Sequence, residues 1–161
     1  MKATVRRGGP DDLAPALEVW RAAEEARRGS PASPEHGGRG RAHLENPTAF
    51  LLVADGAEGV VGMAVGMQGL ADDGAGPPIR GLCHIGAVFV IPDRWGEGLG
   101  GELVDAVLAE ARSRGYDRAQ LWTHARNVRA HRLYERRGFG RTGREGRDDF
   151  GETIVHYARG L

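Results

Sequence analysis

Several things are scarce in this 161-residue chain, and each scarcity excludes a class of protein. Cys83 is the only cysteine, which excludes an intrachain disulfide and a cysteine-rich zinc site. No apolar run approaches membrane-spanning length, and the first residues lack the apolar core of a signal peptide, so we expect a cytoplasmic protein. The six histidines show no metal-ligand spacing, and we therefore expect no metal.

An excess of either charge is also missing. The 22 Lys and Arg residues balance the 22 Asp and Glu residues, and the pI is near 7.0. We therefore expect no general affinity for nucleic acid or for a membrane surface. The 40% hydrophobic content is typical of a globular protein, and the length predicts one domain over residues 1–161.

Hydrophobic periodicity and turn residues predict an order of β α α β β β α β α β β. The predicted strands are 3–7, 49–54, 60–67, 83–91, 118–124, 141–147 and 152–159. The predicted helices are 11–28, 41–45, 99–115 and 127–137, and the longest predicted loops are 27–41 and 69–81. This order indicates an α+β or mixed α/β fold with one mostly antiparallel sheet of six or seven strands and helices on both faces.

Four glycines crowd the boundary between a strand and a helix, in the stretch RWGEGLGGEL at 94–103. Glycine costs about 0.5–1 kcal/mol relative to alanine in regular structure, so this stretch needs a reason. The unpaired N–H groups and the positive dipole end of a helix point out of its N-terminus, and a missing Cβ lets an anion approach them. The pattern predicts a phosphate-binding loop. It is neither a Walker loop nor a good Rossmann fingerprint, and a plain surface turn is the alternative.

A second motif reads NVRAHRLYERRGF, at 127–139. Asn127 and Tyr134 lie two helical turns apart and therefore share one helix face with Ala130 and His131. Together with the V-x-V-x-P strand and the x-x-G-x-G-x-G loop, this motif resembles the GNAT N-acetyltransferase superfamily, in detail over 82–139. The resemblance implies a sheet splayed between two parallel strands, 83–91 and 118–124, with acetyl-CoA as cofactor and coenzyme A as product.

The resemblance also implies roles for individual positions. The pantetheine arm would pair with the backbone of Val88, Phe89 and Val90, and Asn127, near Ala130, would donate a hydrogen bond to it. Tyr134 resembles the tyrosine that protonates the departing thiolate. The diphosphate would lie on the loop residues Trp95, Gly96, Glu97, Gly98, Leu99, Gly100 and Gly101. The family usually has Arg or Gln where this chain has Trp95, so Arg94 is the expected substitute.

Amide formation also needs a base. An amine with a pKa of about 10.4 is unprotonated in only about one molecule in 2,500 at pH 7, so something must remove its proton. His84 is the sharpest candidate because its strand parity matches that of Val88 and Val90; a histidine held by hydrogen bonds in the sheet is the alternative. Glu24 and Glu25 are weaker candidates, which we expect on a solvated helix face.

The remaining polar candidates receive structural or supporting roles. We expect His124 and His131 to be structural or exposed, and Cys83 to be a core thiol. We expect the two long loops, which carry Ser30, Asp72 and Asp73, to shape the acceptor pocket.

The predicted function is acetyl-CoA-dependent transfer of an acetyl group to a primary amine by direct attack, with Tyr134 as general acid. The acceptor is a small-molecule or peptide amine, and the zero net charge favours a small molecule. One alternative is a catalytically silent coenzyme A sensor or scaffold, and a second is an ATP-binding domain. Pairing of the terminal strands would give a homodimer.

Overall fold

The computed structural model describes residues 2–29 and 34–161, and within them the helices and strands follow the predicted order. They are β1 (Thr4–Arg7), α1 (Leu13–Arg28), α2 (Pro34–Glu45), β2 (Phe50–Gly56), β3 (Gly59–Leu70), β4 (Pro78–Val90), α3 (Leu99–Ser113), β5 (Arg118–His124), α4 (Val128–Glu135), β6 (Gly140–Arg147) and β7 (Thr153–Gly160). Seven strands form one mixed sheet in the order β1-β2-β3-β4-β5-β7-β6. The predicted α+β class is confirmed.

Only the β4–β5 pair is parallel among the strand pairs whose register the structure gives. It joins Leu82–His84 to Arg118–Gln120, whereas β1–β2, β2–β3, β5–β7 and β6–β7 are antiparallel. A mostly antiparallel sheet with one parallel pair is therefore confirmed. The opening that the resemblance implies further along these two strands stays a prediction.

Both long loops are shorter than the sequence predicts. Helix α2 begins at Pro34, so residues 34–41 are helical rather than loop, while Ser30 lies outside the described residues. Proline fits a helix start because its missing N–H has no intrahelical partner there. Strand β3 runs to Leu70 and β4 begins at Pro78, because the Gln68 side chain donates to carbonyls on either side of the turn, those of Gly69 and Ile79.

The chain divides into two compact units, of which the first comprises Met1–Met67 and Gly86–Val107. In this unit, Val19 and Trp20 of α1 pack against Met63 and its neighbours on one face of the sheet. Leu103 of α3 lies on the other face, where a Cβ added to Gly62 would come within 3.0 Å of its side chain. Helices therefore cover both faces of the sheet in this unit.

The second unit comprises Gln68–Ile85 and Leu108–Leu161. Helix α4 packs on one face of its strands, where the Tyr134 ring lies 5.8 Å from that of Phe139 and 6.3 Å from that of Tyr157. The expectation of one domain over 1–161 stays a prediction. Within the described part of the chain, no helix is both long and apolar enough to cross a membrane.

Candidate active site

The glycine loop joins β4 to α3 in the first unit. A 3-10 turn, Pro92–Arg94, follows the strand, and the helix begins at Leu99. Gly96 and Gly98 have φ values of +86° and +82°, and a Cβ on either would meet nothing within 4 Å. Their backbone conformation, rather than crowding, is therefore what favours glycine. Alternating backbone handedness before a helix is typical of loops that gather main-chain N–H groups into an anion site, so this conformation is consistent with the predicted phosphate-binding loop.

Two side chains of this loop are engaged within the protein. The Arg94 guanidinium bonds the carboxylates of Glu58 and Glu97, with N–O distances of 2.8 and 2.9 Å. The Trp95 indole N–H donates to the carbonyl of Val90 over 2.7 Å and so ties the loop to the end of β4. Arg94 would have to exchange two ion pairs to contact a phosphate, so the main-chain amides are the better anion donors.

His43 is a site candidate that the sequence reasoning missed. It lies near the end of α2, where a Cβ added to Gly86 of β4 would come within 2.4 Å of its ring. The rings of His43 and Phe89 both contact Trp20. Gly86, which approaches His43, and Phe89 therefore lie on the same face although they are three residues apart, so side chains do not alternate strictly there. The parity that grouped His84 with Val88 therefore does not hold along β4. A glycine inside a strand pattern, which often marks a close approach, was the available signal.

Helix α4 presents the predicted tyrosine in the second unit. Asn127 is its N-cap, and the side-chain oxygen accepts the Ala130 N–H over 3.1 Å. The carboxamide nitrogen is then the end of Asn127 that can donate to another molecule. Tyr134 is buried, and burial raises the pKa of its phenol well above the usual value. The hydroxyl therefore keeps its proton at neutral pH.

His84 is hydrogen-bonded within the sheet. Its Nδ1 lies 3.3 Å from the side-chain nitrogen of Gln120, and the Gln120 oxygen lies 2.9 Å from Nε2 of His156. Nδ1 of His156 lies 2.8 Å from the Thr142 hydroxyl. Burial, followed by the charge of Arg144, lowers the pKa of His156. The sequence analysis singled out His84 but not His156 or Thr142, which His84 reaches through Gln120. The contacts among these side chains depend on how the strands are paired in the sheet, which the sequence does not show.

The other predicted histidines have structural contacts. His131 is buried, with Nε2 3.0 Å from the His124 carbonyl and Nδ1 3.0 Å from Arg141. His124 lies 2.9 Å from Asp148, and together with Glu152 these two place ligand-type atoms within 4.8 Å of one another. Asp148 also accepts the Glu152 N–H, so turn bonds already account for its position. The absence of a metal stays a prediction.

The first helix gives one correction. Glu24 is buried, so its predicted solvated position is wrong. It can be buried because Arg27, one helical turn further along, forms an ion pair with it. Glu25 is half-buried and pairs with Arg21. Cys83 is fully buried, as expected of a core thiol.

Comparisons with known proteins agree with this arrangement. The pattern of the Acetyltransferase (GNAT) family matches residues 14–139, which include the glycine loop and the Asn127–Tyr134 motif. The chain is 36% identical over 94 residues to a mycothiol acetyltransferase of Beutenbergia cavernae and 38% over 96 residues to one of Thermobispora bispora. These alignments cover 58% and 60% of this chain, which spans only 29% and 31% of those relatives.

A solved structure shows the same fold. The Salmonella typhimurium protein yncA, determined with its cofactor acetyl-CoA, superposes with a TM-score of 0.74 at 21% identity. The superposition covers 100% of this chain and 95% of that one. Since the family pattern spans most of the sequence and includes both predicted motifs, the chain belongs to the acetyltransferase (GNAT) family.

Proposed function

We propose that this protein transfers the acetyl group of acetyl-CoA to a primary amine. The observation that carries the proposal is the pair of left-handed glycines, Gly96 and Gly98, at the N-terminus of α3. A loop of this conformation suits the diphosphate of coenzyme A because its donors are backbone amides that need no charged partner. When bound, acetyl-CoA supplies an activated acetyl thioester.

The cofactor-holding residues in this proposal come from three segments. The amides of residues 95–101 hold the diphosphate, and the backbone of residues 88–90 pairs with the pantetheine arm. The Asn127 nitrogen donates to the same arm, since the Asn127 oxygen already caps α4. Arg94 contributes little to affinity because two carboxylates engage it.

Two side chains handle protons in the proposed reaction. Strand parity no longer supports His84 as the base, and its contact with Gln120 at Nδ1 is the ground for keeping it, because that contact leaves proton transfer to Nε2. His84 takes one proton from the acceptor ammonium, which frees the nitrogen lone pair for direct attack on the thioester carbon. As the carbon–sulfur bond breaks, Tyr134 donates its hydroxyl proton to the sulfur. The new amide nitrogen loses its second proton to the Tyr134 phenolate, which restores the hydroxyl, and the first proton stays on His84 until it is released to solvent. Tyr134 can fill this acid role because its phenol is protonated at neutral pH; burial raises its pKa further, so release of the proton depends on the basic thiolate that develops beside it.

We propose a small-molecule amine as the acceptor. The zero net charge offers no steering toward strongly basic peptides. The curated relatives are named mycothiol acetyltransferases, after a small molecule, but this chain spans only about three tenths of their length. The cytoplasmic location and the homodimer stay predictions.

An acetyl-CoA consumption screen tests the proposal. The panel contains polyamines, aminoglycosides, amino acids and peptides with a free N-terminus, and calorimetry with coenzyme A and with ATP accompanies it. We expect coenzyme A to bind more tightly than ATP and at least one small amine to be acetylated. Coenzyme A binding without turnover on any amine would favour the sensor, and preference for ATP would favour a nucleotide-binding domain.

A further inference from the structure

Four polar side chains form a hydrogen-bonded row across β4, β5, β7 and β6 in the second unit. In order they are His84, Gln120, His156 and Thr142, joined by contacts of 3.3, 2.9 and 2.8 Å. We call them the histidine row. Its centre is Gln120, whose carboxamide touches both imidazoles.

The far end of the row is held by a bulge in β6. Arg141 pairs with Tyr157 and Glu145 with Val155, so residues 142–144 lie opposite the single residue between those partners, His156. Gly143, at φ +89°, permits this bend. Bulges re-aim side chains, and this one places the Thr142 hydroxyl on Nδ1 of His156.

The same bulge encloses the His156 ring. Arg144 lies over Trp122, with its guanidinium carbon 5.2 Å from the ring centroid, and it also pairs with Asp73. Trp122 in turn packs 4.9 Å from the His156 ring, which is only 5% exposed. The ring of His156 is therefore held in place, and Arg144 and Asp73 are the charged groups beside it.

The direction of each bond in the row depends on the next, because a carboxamide has one donating and one accepting end. In the structure, the Gln120 N–H donates to Nδ1 of His84, so neutral His84 carries its proton on Nε2. The Gln120 oxygen accepts from Nε2–H of His156, whose Nδ1 accepts the Thr142 hydroxyl. A half-turn of the carboxamide reverses all three bonds, and Nε2 of His84 then holds a lone pair.

We propose that Gln120 is a positioning residue whose carboxamide couples the tautomers of His84 and His156 and thereby decides whether His84 can accept a proton. The inference rests on the proposed function, in which His84 is the base. When Nε2 of His84 takes a proton from the acceptor ammonium, Nδ1–H donates to the Gln120 oxygen. The Gln120 N–H then donates to Nε2 of His156, and Nδ1–H of His156 donates to Thr142.

Imidazole ¹⁵N NMR tests the coupling in the full chain without any substrate. The His84 signals are assigned by their loss in His84→Asn and recorded above pH 7.5. We expect protonated Nε2 in the native protein and protonated Nδ1 in Gln120→Glu, because a carboxylate only accepts. We expect His156→Phe to change the His84 tautomer population, because the Gln120 carboxamide contacts both imidazoles. Identical His84 tautomers in all these proteins would overturn the proposal.

A matched control is Gln68→Met, compared with Gln120→Met. Gln68 is the only other glutamine, and its side chain bonds backbone carbonyls rather than an imidazole. We expect Gln68→Met to leave the His84 tautomer unchanged and Gln120→Met to alter it. If a methionine variant fails to fold, Gln120→Glu and His156→Phe still give the result.

Activity provides the second readout. We expect Gln120→Met to lower kcat/KM about tenfold, part of the 10²–10⁴-fold that a placed general base supplies. We expect Gln120→Glu to recover much of this loss and to move the acidic limb of the pH profile upward, because a carboxylate raises the pKa of a neighbouring histidine. If the native protein acetylates an amine but the variants leave the His84 tautomer unchanged, the proposed coupling is overturned and the proposed function stands. If the variants change the tautomer but no amine is acetylated, only the proposed function is overturned.

Discussion

At the scale of single residues, the tyrosine is the clearest link between environment and chemistry. Burial raises the pKa of Tyr134, so its hydroxyl is protonated throughout the neutral range, as the proposed acid role requires. We expect Tyr134→Phe to lower kcat about 10²-fold, as for loss of a general acid, with coenzyme A affinity within about twofold of native. Steady-state kinetics and calorimetry give the two values.

Tyr157→Phe is the matched control for this variant. It removes a hydroxyl from the same aromatic cluster, but that hydroxyl donates to Glu135 and accepts from Arg141. We expect it to lower the free energy of unfolding by about 1 kcal/mol and to leave kcat nearly unchanged. Equal loss of kcat in both variants would contradict the acid role of Tyr134.

His156 makes a prediction about pH and stability. Burial and Arg144 lower its folded pKa, whereas Asp73 acts in the opposite direction, and the unfolded value is about 6.5. Below pH 6.5 the unfolded chain therefore binds more protons at this position, and the free energy of unfolding falls as the pH falls. Urea unfolding at pH 7.5 and 5.5 measures this fall. We expect a smaller fall in His156→Phe, and an equal fall would contradict the assignment.

Single residues also show what sequence reasoning can reach. Helical spacing alone predicts that Asn127 and Tyr134 share one helix face. In the structure Asn127 is the N-cap of α4 and Tyr134 is buried, and the shared face stays a prediction. The contact of Gln120 with His156 could not be predicted, because it requires the β5–β7 register and the β6 bulge. His43 was missed although the helix segment 41–45 that carries it was predicted, because its approach to Gly86 joins distant parts of the chain.

At the scale of elements, the glycine loop carries the strongest prediction. Alanine at the left-handed position of Gly98 costs about 1–2 kcal/mol of backbone strain and tilts the loop amides away from the anion. We expect Gly98→Ala to weaken coenzyme A binding about tenfold, measured by calorimetry.

Gly115→Ala serves as the control for that loss. Gly115, which follows α3, has φ +89° and equally open surroundings, so it carries a similar strain. We expect it to lower stability as Gly98→Ala does, with unchanged coenzyme A affinity. Equally weakened coenzyme A binding in both variants would show that general destabilisation of the fold, rather than a change in the glycine loop, is responsible.

The ends of helices and strands were predicted best where a particular residue type, such as glycine, marks them. A left-handed glycine follows each of two predicted helices, Gly115 after α3 and Gly138 after α4, and both helices end within two residues of their predicted ends. Helix α2 was mostly missed because proline, glycine and serine around it are typical of loops. The ends of β3 and β4 were missed because side-chain bonds from Gln68, which no local pattern reveals, extend the hairpin.

At the scale of the whole molecule, the order of elements was enough to predict the fold class. Antiparallel strands followed by a strand–helix–strand crossover gave the parallel β4–β5 pair. The division into two compact units was not predictable, because it depends on contacts between distant parts of the chain. The acceptor amine also could not be predicted from the fold, because related enzymes share a fold but differ in the residues that contact the amine.

Ligand-linked stability gives a prediction for the whole chain. A ligand that binds only the folded state at 100 times its Kd adds about 2.7 kcal/mol to the free energy of unfolding. For a chain of this size we expect coenzyme A to raise Tm by about 5–10 °C. A thermal melt with coenzyme A, and with ATP as control, measures the shift. No shift at that concentration would contradict specific binding to the folded state.

The most direct measurement is a crystal structure of the protein with bound coenzyme A. We expect the diphosphate to contact main-chain N–H groups between Trp95 and Gly101 and the sulfur to lie within about 4 Å of the Tyr134 hydroxyl. Coenzyme A bound at another surface, or a sulfur with no path to that hydroxyl, would contradict this expectation.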